Sequence, residues 1–74
     1  LKMFDWNRCP ALERVPGKVS GAWLFRGTRV PVTALFENLA GGATISEFLE
    51  WFPDVTKELV EQVLLHAGRD DAAP

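Results

Sequence analysis

Cys9 and His66 are the side chains whose types suit a nucleophile and its general base. They stand at opposite ends of a 74-residue chain, and no third group is spaced to orient the histidine. Cys9, directly before Pro10, therefore reads as a small buried apolar group, and His66 as a histidine at the core edge of a helix. One Cys and one His cannot form an intramolecular disulfide or a four-ligand zinc site. Glu47 and Glu50 are three apart, as paired carboxylates on one helix face are, but helix capping already accounts for one of them. Arg26-Gly27-Thr28-Arg29 lacks the glycine spacing and the Lys-Ser/Thr pair of a phosphate-binding loop. The chain reads as a non-enzyme, with no cofactor and no metal expected.

Recognition is what remains. Arg26 and Arg29 flank Gly27, where guanidinium groups reach phosphate oxygens or, as the ordinary alternative, pair with the acidic helices. With Lys57 they form the candidate DNA-binding set. Trp51 falls beside the apolar stripe of its helix and Leu65 projects from a polar helix side; with Trp6 and Trp23 they form the candidate partner-binding set. Single exposed hydrophobes are ordinary on any surface, so the set carries weight only as a patch.

Three short helices must position these groups. Val32, Leu35, Phe36 and Leu39 recur at helical spacing, and Gly41-Gly42 suits a left-handed stop, which predicts a helix over about 32–40. Thr44-Ile45-Ser46-Glu47 is a capping box, followed by the stripe Ile45, Phe48, Leu49 and Phe52 and ended by Pro53. Thr56 offers a further N-cap, and Leu59, Val60, Val63, Leu64 and Ala67 line a third helix that Gly68 is expected to stop. Upstream, Pro10, Pro16, Gly17, Gly21, Gly27 and Pro31 are too frequent for helix, so two or three short strands with exposed edges are expected around Lys18-Val19-Ser20 and Trp23-Leu24-Phe25. The organisation is one domain: an irregular or β segment over 1–31, a three-helix unit over 32–68, and a frayed tail over 69–74. The fold class is mainly α, with a short β N-terminal segment followed by a three-helix bundle.

Size and charge narrow the function classes. A chain this short buries only about 60% of the surface its unfolded form exposes, so self-association, as a homodimer, is expected to add stability. Three Trp and five Phe are a large aromatic content for this length, and some of these rings are expected at an interface. The net charge of −2 conceals a polar molecule: residues 1–31 carry +4 and residues 32–74 carry −6. A basic end suits phosphate and an acidic end suits a basic protein, unless both are simply solvated. No apolar run approaches a membrane span and no secretory signal pattern is present, so a cytoplasmic protein without membrane contact is expected.

Val15-Pro16-Gly17-Lys18-Val19-Ser20-Gly21-Ala22-Trp23, Phe25-Arg26-Gly27-Thr28-Arg29-Val30-Pro31-Val32, Ala34-Leu35-Phe36-Glu37-Asn38-Leu39 and Phe48-Leu49-Glu50-Trp51-Phe52-Pro53, together with Cys9-Pro10, resemble the pattern of a prokaryotic family, domain-of-unknown-function family 433. The resemblance covers about residues 4–67, and its members include VapB-like antitoxins. It implies a homeodomain-like helix-turn-helix unit behind a short β N-terminus. It further implies a PIN-like ribonuclease toxin as partner, bound and silenced by the antitoxin, and repression of a shared promoter on double-stranded DNA. The third helix departs from a DNA reader, since it offers Lys57, Glu58, Glu61 and Gln62 where basic and amide groups are wanted. The basic N-terminal part is then the better DNA candidate, and with about six residues after helix three, toxin contact is expected to use the folded surface. The alternatives are a stand-alone helix-turn-helix regulator and a structural oligomerising adaptor.

Overall fold

The computed structural model describes residues 6–18 and 21–72. A 3-10 turn over Trp6–Arg8 leads into β1 (Leu12–Glu13), which pairs antiparallel with β2 (Leu24–Phe25) in the register Leu12 to Phe25 and Glu13 to Leu24. Three helices follow: α1 (Val32–Ala40), α2 (Ile45–Trp51) and α3 (Lys57–Ala72). The expected class, mainly helical with a small β segment, is the class observed.

The strand pairing differs from the expectation. Trp23-Leu24-Phe25 does supply a strand, but its partner is Leu12–Glu13; Lys18 lies in a bend, and Val19 and Ser20 are outside the described residues. β2 is covered on its other side too, by a bridge from Leu24 to Pro31 and by the Val32 N–H donating to the Trp23 carbonyl at 2.8 Å. It is therefore no exposed edge. Between those flanks the chain reverses in a turn whose Thr28 N–H donates to the Phe25 carbonyl at 2.9 Å, with Gly27 at φ +79, the left-handed value that the third residue of a type II turn needs. Thr28 is 6% exposed, and its hydroxyl donates to the Phe25 carbonyl while accepting from the Val30 N–H, which stiffens the reversal.

The helix ends follow their local chemistry. Gly42, at φ +99, ends α1 in a Schellman motif: its N–H donates to the Leu39 carbonyl, and the Ala43 N–H donates to the Asn38 carbonyl. Thr44 and Glu47 form the reciprocal capping box, at 3.1 Å and 2.9 Å. Thr56 caps α3 by accepting from the Leu59 N–H. Gly68 does not stop α3, which runs on to Ala72 through part of the segment expected to be frayed. Glycine ends a helix by turning left-handed; Gly68 keeps a negative φ and costs only propensity, about 1 kcal/mol.

One core joins the two halves. Cys9, Ala11, Leu12 and Phe25 from the N-terminal segment pack with Val32, Leu35, Phe48, Val55, Val60 and Val63 from the helical part. Phe48 sits at the centre, its ring 6.2 Å from that of Phe25 and 4.7 Å from that of Phe52. Ile45, placed in the α2 stripe by its spacing, is the first residue of α2 and is 36% exposed. Among the described residues no helix is long and apolar enough to cross a membrane.

Candidate partner-binding surface

α3 turns one face to the core and the opposite face to solvent. Val60 and Val63 are fully buried, while Leu65, two residues and so about 200° beyond Val63, is 60% exposed. Leu65 shares its face with Glu61 and Gln62, four and three residues earlier, and both are exposed. It stands between two hollows: one of about 250 Å³ lined by Arg8, Pro10, Gln62 and His66, the other of about 480 Å³ lined by Glu61 and Leu64. An apolar side chain therefore projects from α3 between a hollow bearing amide and cationic groups and a shallow, open stretch of the helix surface beside Glu61.

A separate hollow, of about 360 Å³, lies where α1 ends and α2 begins, lined by Glu37, Asn38, Gly41, Gly42, Ala43, Glu47 and Trp51. The capping box fixes one Glu47 oxygen on the Thr44 N–H, and Trp51 lies one turn further along the same helix, 56% exposed. The Schellman turn supplies the floor. Glu37 is exposed on the last turn of α1, where the helix macrodipole adds partial negative charge and no basic residue offsets it. Trp51 and Leu65 are both outward-facing, as their sequence positions imply, but they line different hollows and do not form one patch.

The other two tryptophans turn inward. The Trp6 ring packs 5.4 Å from that of His66 and 6.3 Å from that of Phe36, so it closes the N-terminal segment onto α1 and α3. His66 is half-buried there, as its position at the core edge of the helix implies. Trp23 is half-buried with the Arg14 guanidinium 5.3 Å over its ring, and Arg14 Nε donates to the Gly21 carbonyl. Cys9 is 2% exposed, in the core.

The candidate DNA-binding cations have three different situations. Arg26 is a structural clamp: its Nε donates to the Pro10 carbonyl at 2.8 Å, its Nη2 donates to the Leu12 carbonyl at 3.0 Å, and its Nη1 lies 3.7 Å from Glu13 Oε1. Glu13 Oε2 in turn accepts from the Gly27 N–H at 2.8 Å. The ordinary alternative, pairing with the acidic helices, is not what Arg26 does: its carboxylate partner is Glu13 of the sheet. Arg29 is exposed at the far end of the same turn, with no hydrogen bond or ion pair among the described residues. Lys57 is exposed in the first turn of α3 beside Glu58.

Two features were beyond sequence reasoning. The Arg26 clamp depends on a pairing between residues fourteen and sixteen positions apart, which no local pattern encodes. The Trp51 hollow depends on how the α1 stop turns the chain into α2; the double glycine and the capping box marked its two halves, but not that Glu37 and Trp51 would line one hollow.

No curated protein and no solved structure matches the chain. One family does, a protein family of unknown function, DUF433, over residues 13–67. That span holds both strands but for Leu12, the reversal at Gly27, α1, α2 and most of α3, and it is well over half of the chain. The protein thus belongs to the DUF433 family.

Proposed function

We propose that this domain is a non-catalytic recognition module of the antitoxin type, which binds and silences a PIN-like ribonuclease through its acidic helical surface. The observation that carries the reading is Leu65: a leucine 60% exposed in the middle of α3, between two hollows, while the core closes without it. A large apolar side chain on a helix face with exposed Glu58, Glu61 and Gln62 has the composition of an interface anchor, in which the apolar group is desolvated and the neighbouring charges orient the partner. The resemblance to VapB-like antitoxins supplies the class of partner, and the −6 charge of residues 32–74 suits a basic protein surface.

Co-expression with the product of the adjacent gene tests this. The native domain should rescue growth from that product, and Leu65→Ser should weaken the complex by roughly 2 kcal/mol, the hot-spot range, with an unchanged circular dichroism spectrum. Full rescue by a folded Leu65→Ser variant would place the interface elsewhere.

A second reading, promoter binding, is favoured by Arg29, which stands exposed on a stiff turn with its guanidinium uncommitted among the described residues. Binding would be salt-sensitive and weakened by Arg29→Ala more than by Lys57→Ala, since Lys57 is flanked by Glu58. A mobility shift across salt concentrations discriminates, and equal loss with Lys57→Ala would return the role to α3.

A further inference from the structure

We infer that the chain docks on a second copy of itself by seating Arg29 of each copy in the Trp51 hollow of the other. Both halves of the contact are present in one chain. The donor is Arg29, carried on a reversal held by four hydrogen bonds: Thr28 N–H and hydroxyl to the Phe25 carbonyl, Val30 N–H to the Thr28 hydroxyl, and Phe25 N–H to the Val30 carbonyl. Of the two arginines on that reversal, Arg26 is spent on Pro10, Leu12 and Glu13, whereas Arg29 is exposed and has no partner among the described residues. The side chain is thus offered on a rigid base, so little backbone freedom is lost when it binds.

The acceptor matches it in charge and in the ring it offers. Trp51 contributes an indole 56% exposed, the favoured ring for a guanidinium to stack on. Glu37 from α1 and Glu47 from α2 contribute two carboxylates to the lining, and the capping box uses only one Glu47 oxygen among the described residues. The end of α1 contributes the negative pole of a helix with no basic residue in its last turn. A reciprocal, two-fold arrangement makes each contact twice and joins the basic half of one copy to the acidic half of the other, +4 against −6. It also covers Trp51 without using Leu65, which leaves α3 to the partner protein. The strand edge is not needed, since β2 is covered on both sides.

Sedimentation of the full chain at about 100 µM, in low and in high salt, tests the proposal. The expected result is a dimer whose dissociation constant rises with salt and rises about thirty-fold in Trp51→Ala, which removes the stacking ring from both of its contacts. Arg29→Glu and Glu37→Arg should each be folded and monomeric, because each puts like charges in both contacts. Their equimolar mixture should regain the dimer, since one contact then joins the two reversed charges and the other the two native ones. A monomeric native chain, or a dimer indifferent to Arg29→Glu or to Trp51→Ala, overturns the proposal. A native monomer whose Trp51 indole N–H resonance shifts on adding a tetra-arginine peptide, and does so less in Glu37→Gln, also overturns it and assigns the hollow to a basic segment of another protein. Each outcome stands apart from the growth-rescue result, which reads the Leu65 surface.

Discussion

Arg26 shows how a residue type acquires its role from its partners. A guanidinium near glycine is a reasonable phosphate ligand, yet here its planar fork ties two carbonyls of the preceding segment to the β2 reversal and meets Glu13 beside them. The side chain is 57% exposed, so the ion pair itself contributes little; the two charge-assisted bonds to carbonyls are what hold. Arg26→Ala is expected to lower stability by about 1–2 kcal/mol, and Arg26→Lys to recover only part, because an ammonium cannot span both carbonyls in that geometry. Denaturant titration checks this. A variant as stable as the native chain would return Arg26 to the list of available cations. Any loss of DNA or partner binding in Arg26 variants must accordingly be read against their folding, whereas Arg29 variants carry no such burden.

At the scale of elements, Gly42 and Gly68, both at positions expected to stop a helix, behave oppositely. Gly42 adopts φ +99 and completes the Schellman turn, so Gly42→Ala strains the backbone even though open space surrounds the site; a loss of about 1 kcal/mol is expected. Gly68 lies inside α3 with a negative φ and nothing within 4 Å of an added methyl group, so Gly68→Ala should stabilise by about 0.5–1 kcal/mol through helix propensity and a less flexible unfolded chain. Thermal unfolding of the pair gives shifts of opposite sign. Equal signs would mean that the α1 stop does not depend on the left-handed residue. The α1 stop also shapes the Trp51 hollow, so Gly42→Ala should weaken self-association as well as folding.

For the whole molecule, the separation of Trp51 from Leu65 predicts two independent surfaces. Trp51→Ala should release the second copy and leave partner binding of the monomer unchanged, while Leu65→Ser should do the converse. The double variant should show the sum of the two losses, as distant sites without shared neighbours do. Calorimetric titration of partner into each variant, alongside sedimentation, measures both. A coupling above about 0.5 kcal/mol would mean that the two hollows communicate or are bridged by one ligand. The N-terminal segment must stay docked for either surface to persist, since Arg8 and Pro10 line one hollow and Trp6 packs on His66.

The sequence by itself determined what repeats locally. The apolar periods of α1, α2 and α3, the Thr44 box, the Thr56 cap, the double-glycine stop and the outward sides of Trp51 and Leu65 all depend on residues within a turn or two of one another. Tertiary structure decided what depends on distant segments: that β2 pairs with Leu12–Glu13, that Trp6 and Trp23 face inward, and that Arg26 is spent on carbonyls fourteen and sixteen residues away. Local pattern specifies an element and its buried face because helix and strand periods are properties of the backbone. It cannot specify which segment completes a strand or fills a hydrogen-bonding fork, because many segments offer the same carbonyls and only the closed core selects among them.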